Sequence, residues 1–401
     1  MNREEELPMK LLQGARGFAL AATLATVAAT GAPARAQEAY VVGVSAALTG
    51  PAAATYAPVI DAMRAYADHV NGKGGVNGKP IRLVILDNQG EPSKAAADAK
   101  KLLSQDNVIL LVNSSLSSTY APMIAESRRA KVPLLYAGAV CPKETFPPAD
   151  PLQFCTTSFG AQYDSQLAMG FVKDNAKEPP RIGFSAMAIP ISRGEIEFAE
   201  GLARKMGMGT TSKEIIPPPT PDYTPFATKL KDGGSNWVYS WAPWVTQVRT
   251  FEALRRLGWN GRYIAYAHIQ AEDELARIRD PELHVFGANA FVRDDLPVHA
   301  EIRAATVRAK LQYPVTQLTE GFIAGLALEA ALKATPWPPT PAKVLAAMNN
   351  LKVDMKGLRG GPLEWTKDNH FRTRQYYRVY RWDPAKNAVV QVKDWTAFDV
   401  R

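Results

Sequence analysis

The sequence predicts an α/β protein with two doubly wound parallel sheets. Short apolar runs alternate with amphipathic ones, the alternation restarts midway along the chain, and 401 residues are enough for two cores at roughly 100–200 residues each. Tyr40–Ala46 is the first strand-like run, and the helical period follows over Tyr56–Asn71. The same pair recurs as Ile81–Asp87 with Ser93–Gln105, then as Val108–Val112 with Thr119–Ala130, and Leu134–Ala137 closes the series. Such strands are apolar throughout because parallel sheets are covered on both faces.

A second series begins after a proline-rich loop. Helix Tyr163–Lys177, strand Arg181–Ser185, helix Arg193–Met206, strand Trp237–Trp241, helix Val245–Leu257 and strand Tyr263–Ala267 form a unit of similar size. Helices at His299–Tyr313, Thr319–Ala334 and Pro341–Asn350 come next, then strands near Leu363–Trp365, Tyr376–Trp382 and Val389–Val392. These late elements must join units already begun, so the chain crosses between them more than once. Ile215–Tyr223 and Pro336–Pro341 read as loops.

The N-terminus carries an export signal. Lys10 and Arg16 precede an apolar run from Phe18 to Ala29, followed by Ala34-Arg35-Ala36. About 12 apolar residues are too few to span a bilayer but suit a signal peptide, with cleavage expected after Ala36. Glu4, Glu5 and Glu6 have the wrong sign for a signal's first region, which makes Met9 an alternative start. Removing residues 1–36 takes away four basic and three acidic residues, so the mature chain carries about +7 in place of +8. The 39 acidic and 47 basic residues are interspersed, without the basic block that tracks nucleic acid. Cys141 and Cys155, in an exported protein, are candidates for a disulfide closing Pro142–Phe154, worth ~3 kcal/mol in the loop-entropy picture. The alternative is two buried thiols.

Catalytic constellations are missing. The five histidines form no metal-ligand spacing, and Gly43-Val44-Ser45 and Gly183-Phe184-Ser185 lack the closing glycine of a nucleophile elbow. Asn71-Gly72-Lys73-Gly74-Gly75-Val76-Asn77-Gly78 follows a helix and precedes a strand, the reverse of a phosphate loop. No enzyme activity, metal or cofactor is expected.

Binding sites in doubly wound sheets lie beyond the carboxyl ends of the strands. There Asn113-Ser114-Ser115-Leu116-Ser117-Ser118-Thr119 offers hydroxyls and free N–H groups just before a helix, a carboxylate site that needs no basic side chain. Helix capping alone would use one of them. Gly138-Ala139-Val140 is small enough for close backbone approach, and Trp241, Pro243 and Trp244 run off another strand end as aromatic surface, with core packing as the alternative.

These residues resemble periplasmic substrate-binding proteins of the branched-chain amino acid class of ABC importers, with the type I binding fold. The carriers are Leu48-Thr49-Gly50-Pro51, the glycine-rich segment at 71–78, Asp87-Asn88 with Pro92, Ser117-Ser118 and Lys131-Val132-Pro133-Leu134-Leu135. Pro221-Asp222-Tyr223-Thr224 and Gly361-Pro362-Leu363-Glu364-Trp365 complete the set. The resemblance implies two lobes joined by a three-strand hinge, residues 37–157 plus about 287–355 and residues 158–286 plus about 356–401. It further implies a monomer that closes on a small solute and presents it to a permease.

Carried over, the ligand contacts are Tyr56, Ser117, Ser118, Gly138, Ala139, Val140, Tyr163, Ile191, Trp241, Pro243, Trp244, Ala267, His268 and Gln317. Ser117 matches the carboxylate-binding serine. Val140 stands where threonine is common, Ile191 and Pro243 replace tyrosines, and Ala267 replaces the glutamate expected to hold an α-ammonium. A buried ammonium without an acid is costly, and neither Asp222 nor Glu320 has an evident claim to substitute. The expected ligand is therefore a carboxylate without an amino group, aromatic given Trp241, Trp244, Tyr56 and Tyr163, with His268 available to a ring substituent and a purely structural role as its alternative. Uptake of branched-chain or other amino acids is the alternative within the family. A ligand-sensing module acting on a receptor is the alternative from another class.

Overall fold

A computed structural model describes residues 39–157, 162–267 and 271–401. The expected signal peptide and its cleavage site lie outside the described residues. The first sheet collects β1 (Tyr40–Ala46), α1 (Ala53–Gly72), β2 (Ile81–Asp87), α2 (Pro92–Ser104), β3 (Leu110–Ser114), α3 (Tyr120–Ala130), β4 (Leu134–Tyr136) and β5 (Gln153–Cys155). Its strand order is β2-β1-β3-β4-β5 and every pair is parallel. Cys141 and Cys155 are joined as a disulfide, which ties the segment after β4 to the end of β5.

The chain then builds α4 (Tyr163–Asn175), β6 (Arg181–Met187), α5 (Pro190–Lys205), β7 (Gly209–Ile216), α6 (Thr224–Asp232), β8 (Trp237–Trp241) and α7 (Trp244–Arg256). β9 (Arg262–Tyr266), α8 (Ala271–Ile278) and β10 (Leu283–Gly287) complete this stretch. It returns to the first sheet with α9 (Pro297–Arg308), α10 (Thr319–Lys333) and α11 (Pro341–Met348), and forms a small ribbon from β11 (Lys352–Val353) and β12 (Leu363–Glu364). β13 (Arg374–Asp383) and β14 (Ala388–Asp399) then complete the second sheet, whose order is β14-β13-β10-β9-β8-β6-β7.

The second sheet departs from the expected all-parallel arrangement at one edge, where β13 pairs antiparallel with both β10 and β14. The four residues between β13 and β14 allow only a hairpin, since a parallel return needs about a dozen residues or more. Within the segment read as a loop from Ile215, the first two residues belong to β7.

Two glycines fix how α10 lies on α1. A Cβ on Gly321 would sit 2.2 Å from the Val59 carbonyl oxygen, and one on Gly325 would sit 2.5 Å from the Tyr66 ring. The helices therefore meet backbone to backbone and enclose Ile60, Met63, Phe322 and Ile323 with strands β1 and β3. A separate cluster of Val238, Trp244, Phe251, Leu254 and Tyr380 fills one face of the second sheet. The largest cluster is continuous across both sheets, from Leu111 and Met123 through Tyr56, Tyr120 and Tyr163 to Phe184, Trp241 and Tyr266.

The chain passes between the sheets at three connections, and described residues in and beside them are hydrogen-bonded to one another. The Cys155 N–H donates to the His370 carbonyl at 3.1 Å, Ala290 N–H donates to Leu358 at 2.8 Å, and the Trp365 indole donates to the Cys155 carbonyl at 3.3 Å. No helix among the described residues is long and apolar enough to cross a membrane.

Candidate functional site

Between the carboxyl ends of the two sheets lies a cavity of about 550 Å³, walled by Ser117, Tyr120, Phe146, Tyr163, Ile191 and Glu195, with Lys143, Phe198 and Arg401 also lining it. Ser117 opens the single 3-10 turn Ser117–Thr119 that leads into α3, after Leu116 in extended conformation. Three neighbouring hydroxyls have structural partners, while that of Ser114 is buried without one among the described residues and lies outside the cavity lining. Ser115 donates to Asn88 at 2.8 Å, Ser118 to the Gly90 carbonyl at 3.4 Å and Thr119 to the Leu116 carbonyl at 2.7 Å. The Ser117 hydroxyl is buried with no partner among the described residues, and it lines the cavity. Buried hydroxyls are ordinarily hydrogen-bonded, so this one holds a bonding capacity that the fold does not use.

The walls are aromatic. Phe146 stacks on Phe371, with centroids 4.6 Å apart, and faces Tyr163 at 6.1 Å. The Tyr163 hydroxyl accepts the Arg401 N–H at 3.0 Å. Tyr120 donates to the Val140 carbonyl at 2.7 Å, and its ring lies 4.8 Å from that of Tyr136. Behind it, burial and the proximity of Tyr56 and Tyr266 push the Tyr120 hydroxyl well above the usual tyrosine range, so this cluster stays neutral. Trp241 packs at 4.8 Å from Tyr266 and donates its indole N–H to Asp164 at 2.9 Å, a carboxylate that also accepts from Tyr377.

Glu195 is the one acidic side chain among the described residues that line the cavity. It accepts backbone N–H groups from Gln162 at 2.8 Å and Ser165 at 2.9 Å, and also the Ser165 hydroxyl, so it caps the start of α4 from α5. Burial outweighs these bonds and pushes its pKa up to about 7. Its charge is thus divided near neutral pH.

Of the expected contacts, Ser117, Tyr163 and Ile191 meet at this cavity. Tyr56, Ala139, Val140 and Trp241 lie behind it in the shared apolar cluster. Gly138, at φ +63°, lies against α1, where a Cβ would come within 2.7 Å of the Val59 methyls. Pro243 and Trp244 start α7, which turns the Trp244 ring into the core beside Phe251 and Leu254. Ala267 borders a smaller space of about 30 Å³ with Glu272, Asn289 and Glu320. Gln317, half-buried, hydrogen-bonds Asp273 near that space, and His268 lies outside the described residues.

Neither suggested substitute acid faces the large cavity. Asp222 is exposed and accepts the Thr224 N–H at 2.9 Å. Glu320 is buried and paired with Arg359 at 3.2 Å. Sequence reasoning missed Glu195, although the signal was available. It stands four residues beyond Ile191 and therefore on the same helix face.

A family model described as periplasmic binding protein matches residues 39–388. An amino acid binding protein of Pseudomonas aeruginosa is 22% identical over 327 residues, spanning 79% of this chain and 83% of that relative. Leu/Ile/Val-binding protein homolog 2 of Brucella abortus is 25% identical over 204 residues, spanning 49% and 52%. Two solved structures share the fold at TM-score 0.76. One is the solute-binding protein of an ABC transporter from Rhodopseudomonas palustris BisB5 in complex with 3,4-dihydroxybenzoic acid, 19% identical and covering 91% of this chain and 98% of that one. The other is a branched-chain amino acid ABC transporter protein from Thermus thermophilus with bound valine, 17% identical and covering 90% and 97%.

Proposed function

The chain belongs to the periplasmic binding protein family, and from that membership we propose that it is the solute-binding component of an ABC importer in the periplasm, taking a small aromatic carboxylate. The observation that carries this reading is the buried, unpartnered Ser117 hydroxyl on an aromatic-walled cavity between the two sheets. The hydroxyl and the N-terminal turn bind the carboxylate, while Phe146, Tyr120 and Tyr163 enclose the ring. One lobe is the first sheet with its helices, completed by the stretch from α9 through the β11–β12 ribbon, and the other is the second sheet with its helices, completed by β13 and β14, so the boundary expected near 355 shifts to the passage between Glu364 and Arg374. They close by rotation about the three connections, and the closed form engages the permease.

A thermal-shift screen tests the ligand class. Ligand at 100 times its dissociation constant adds ~2.7 kcal/mol, which raises Tm visibly. Benzoate and cinnamate derivatives should stabilise the protein and leucine should not. Scattering that found no compaction on ligand saturation would remove the closure mechanism.

A second reading, uptake of an amino acid, is favoured by Glu195, since a carboxylate on the cavity wall can face an ammonium. The two readings give opposite pH dependences. Ionised Glu195 repels a bound carboxylate, so affinity for an aromatic acid falls as pH rises through about 7. An ammonium bound at Glu195 requires the ionised form, so affinity for an amino acid rises over the same interval. Calorimetric titrations at pH 6 and pH 8 separate them.

A further inference from the structure

Where the three connections run together, two arginines are buried. Arg359 and Arg372 are 6% and 3% exposed. Arg359 reaches the second connection, where its Nε donates to Asn289 at 3.0 Å, and its Nη2 pairs with Glu320. Arg372 stands on the third connection and donates to the Thr157 carbonyl of the first and to Gln375 at 2.8 Å.

Of the two, only Arg359 has a carboxylate at ion-pair distance among the described residues. Glu320 compensates Arg359, whereas the hydrogen-bond acceptors of Arg372 among the described residues are a carbonyl and an amide. The face of the Phe371 ring, 4.2 Å from the guanidinium carbon, adds a neutral contact. Tyr377, Glu320 and Asp164 act on Arg372 only at longer range, and burial together with Arg359 holds its pKa well below the usual guanidinium range. Buried ions are otherwise paired, and a guanidinium does not escape by losing its proton.

Both arginines line one small cavity, together with Ala288 of the second connection and Tyr376. The room left there for the centre of a water-sized sphere is about 10 Å³, enough for one sphere and too little for sulfate or a carboxylate ligand. Two donors are buried without partners among the described residues, Nη1 of Arg359 and Nε of Arg372.

We propose that this cavity is a binding site for a single halide-sized anion, held between Arg359 and Arg372 and tying the three connections together. The anion gives Arg372 a charged partner at contact distance, in addition to the longer-range Glu320 and Asp164, and satisfies the two orphan donors. It touches no residue of the solute cavity, so the site stands or falls independently of the solute reading.

The test uses the whole mature protein. Crystals soaked in sodium bromide, with data at the bromine edge, should give an anomalous peak in contact with Arg359 Nη1 and Arg372 Nε. In solution, replacing isethionate by chloride or bromide at constant ionic strength should raise Tm by about 2–4 °C and then saturate. Arg359→Gln should lose both effects. Water in the cavity of crystals whose surface shows bromide would overturn the proposal. So would a bromide peak unaccompanied by any rise in Tm, or a Tm rise that survives in Arg359→Gln.

Discussion

Glu195 accepts the Ser165 N–H at 2.9 Å, so a carboxylate from α5 closes the amino end of α4, thirty residues earlier in sequence. The helix end supplies partial positive charge, yet the surroundings withhold the solvent that a carboxylate needs.

That conflict sets a pH dependence of stability. The folded pKa, about 7, lies above the ordinary 4.5, so between these values the native state holds the proton more tightly. Stability is therefore full below about 4.5 and falls as pH rises to about 7, by on the order of 3 kcal/mol at ~1.4 kcal/mol per unit. Urea titrations at pH 5 and pH 7.5 should record the fall, and Glu195→Gln should flatten it whatever its baseline stability.

Ser117→Ala removes a donor that folding leaves unused. Stability should hold or rise slightly, while affinity for a carboxylate falls about 10- to 100-fold, the worth of a hydrogen bond to a charged group. Calorimetry on the ligand found by screening, beside a melting curve, checks both halves. Equal loss of stability and affinity would mean that the hydroxyl serves the fold.

Gly321→Ala should be among the most damaging single substitutions. Its Cβ would lie 2.2 Å from the Val59 carbonyl and 2.5 Å from the Ala62 Cβ, contacts that only separation of α1 and α10 relieves. A loss of about 3 kcal/mol or more is expected from chemical denaturation. Ala324→Gly, one turn away on the same helix, should cost only about 1 kcal/mol of helix propensity plus a methyl-sized cavity.

Replacing both Cys141 and Cys155 by alanine frees the loop that carries Lys143, Phe146 and Pro147 to the cavity rim. Stability should fall by ~3 kcal/mol and ligand affinity with it. Denaturation and calorimetry on the reduced and double-alanine proteins should agree with each other. Unchanged affinity in both would detach the loop from binding.

The alternation that made the first sheet legible is strong because β1, β3 and β4 are buried central runs, while β2, half-exposed at the edge, still carries the apolar Leu-Val-Ile-Leu segment. β5 escaped notice because it has three residues and derives its strand character from pairing with β4. β7 is an edge strand with a half-exposed Gly-Thr-Thr-Ser-Lys start. Ser117 was legible because an apolar strand, a hydroxyl-rich loop and a helix follow in order. Trp244 was not, because α7 begins on that residue and turns it from the strand end into a core. Nothing in a linear pattern marks Arg372 as buried, since three separate chain passages create its surroundings.

The packing of α10 on α1 also dictates a timetable for synthesis. A ribosome releases all five strands of the first sheet and most of the second before residues 319–333 appear. Until then the α1 surface that Gly321 and Gly325 will cover lies open, and neither half can finish alone. On the export reading, this delay suits a nascent chain that must cross the membrane as a flexible thread. It also means that no single cut divides the polypeptide into two self-sufficient fragments, so a split-reporter version must be built by reassembly of both pieces.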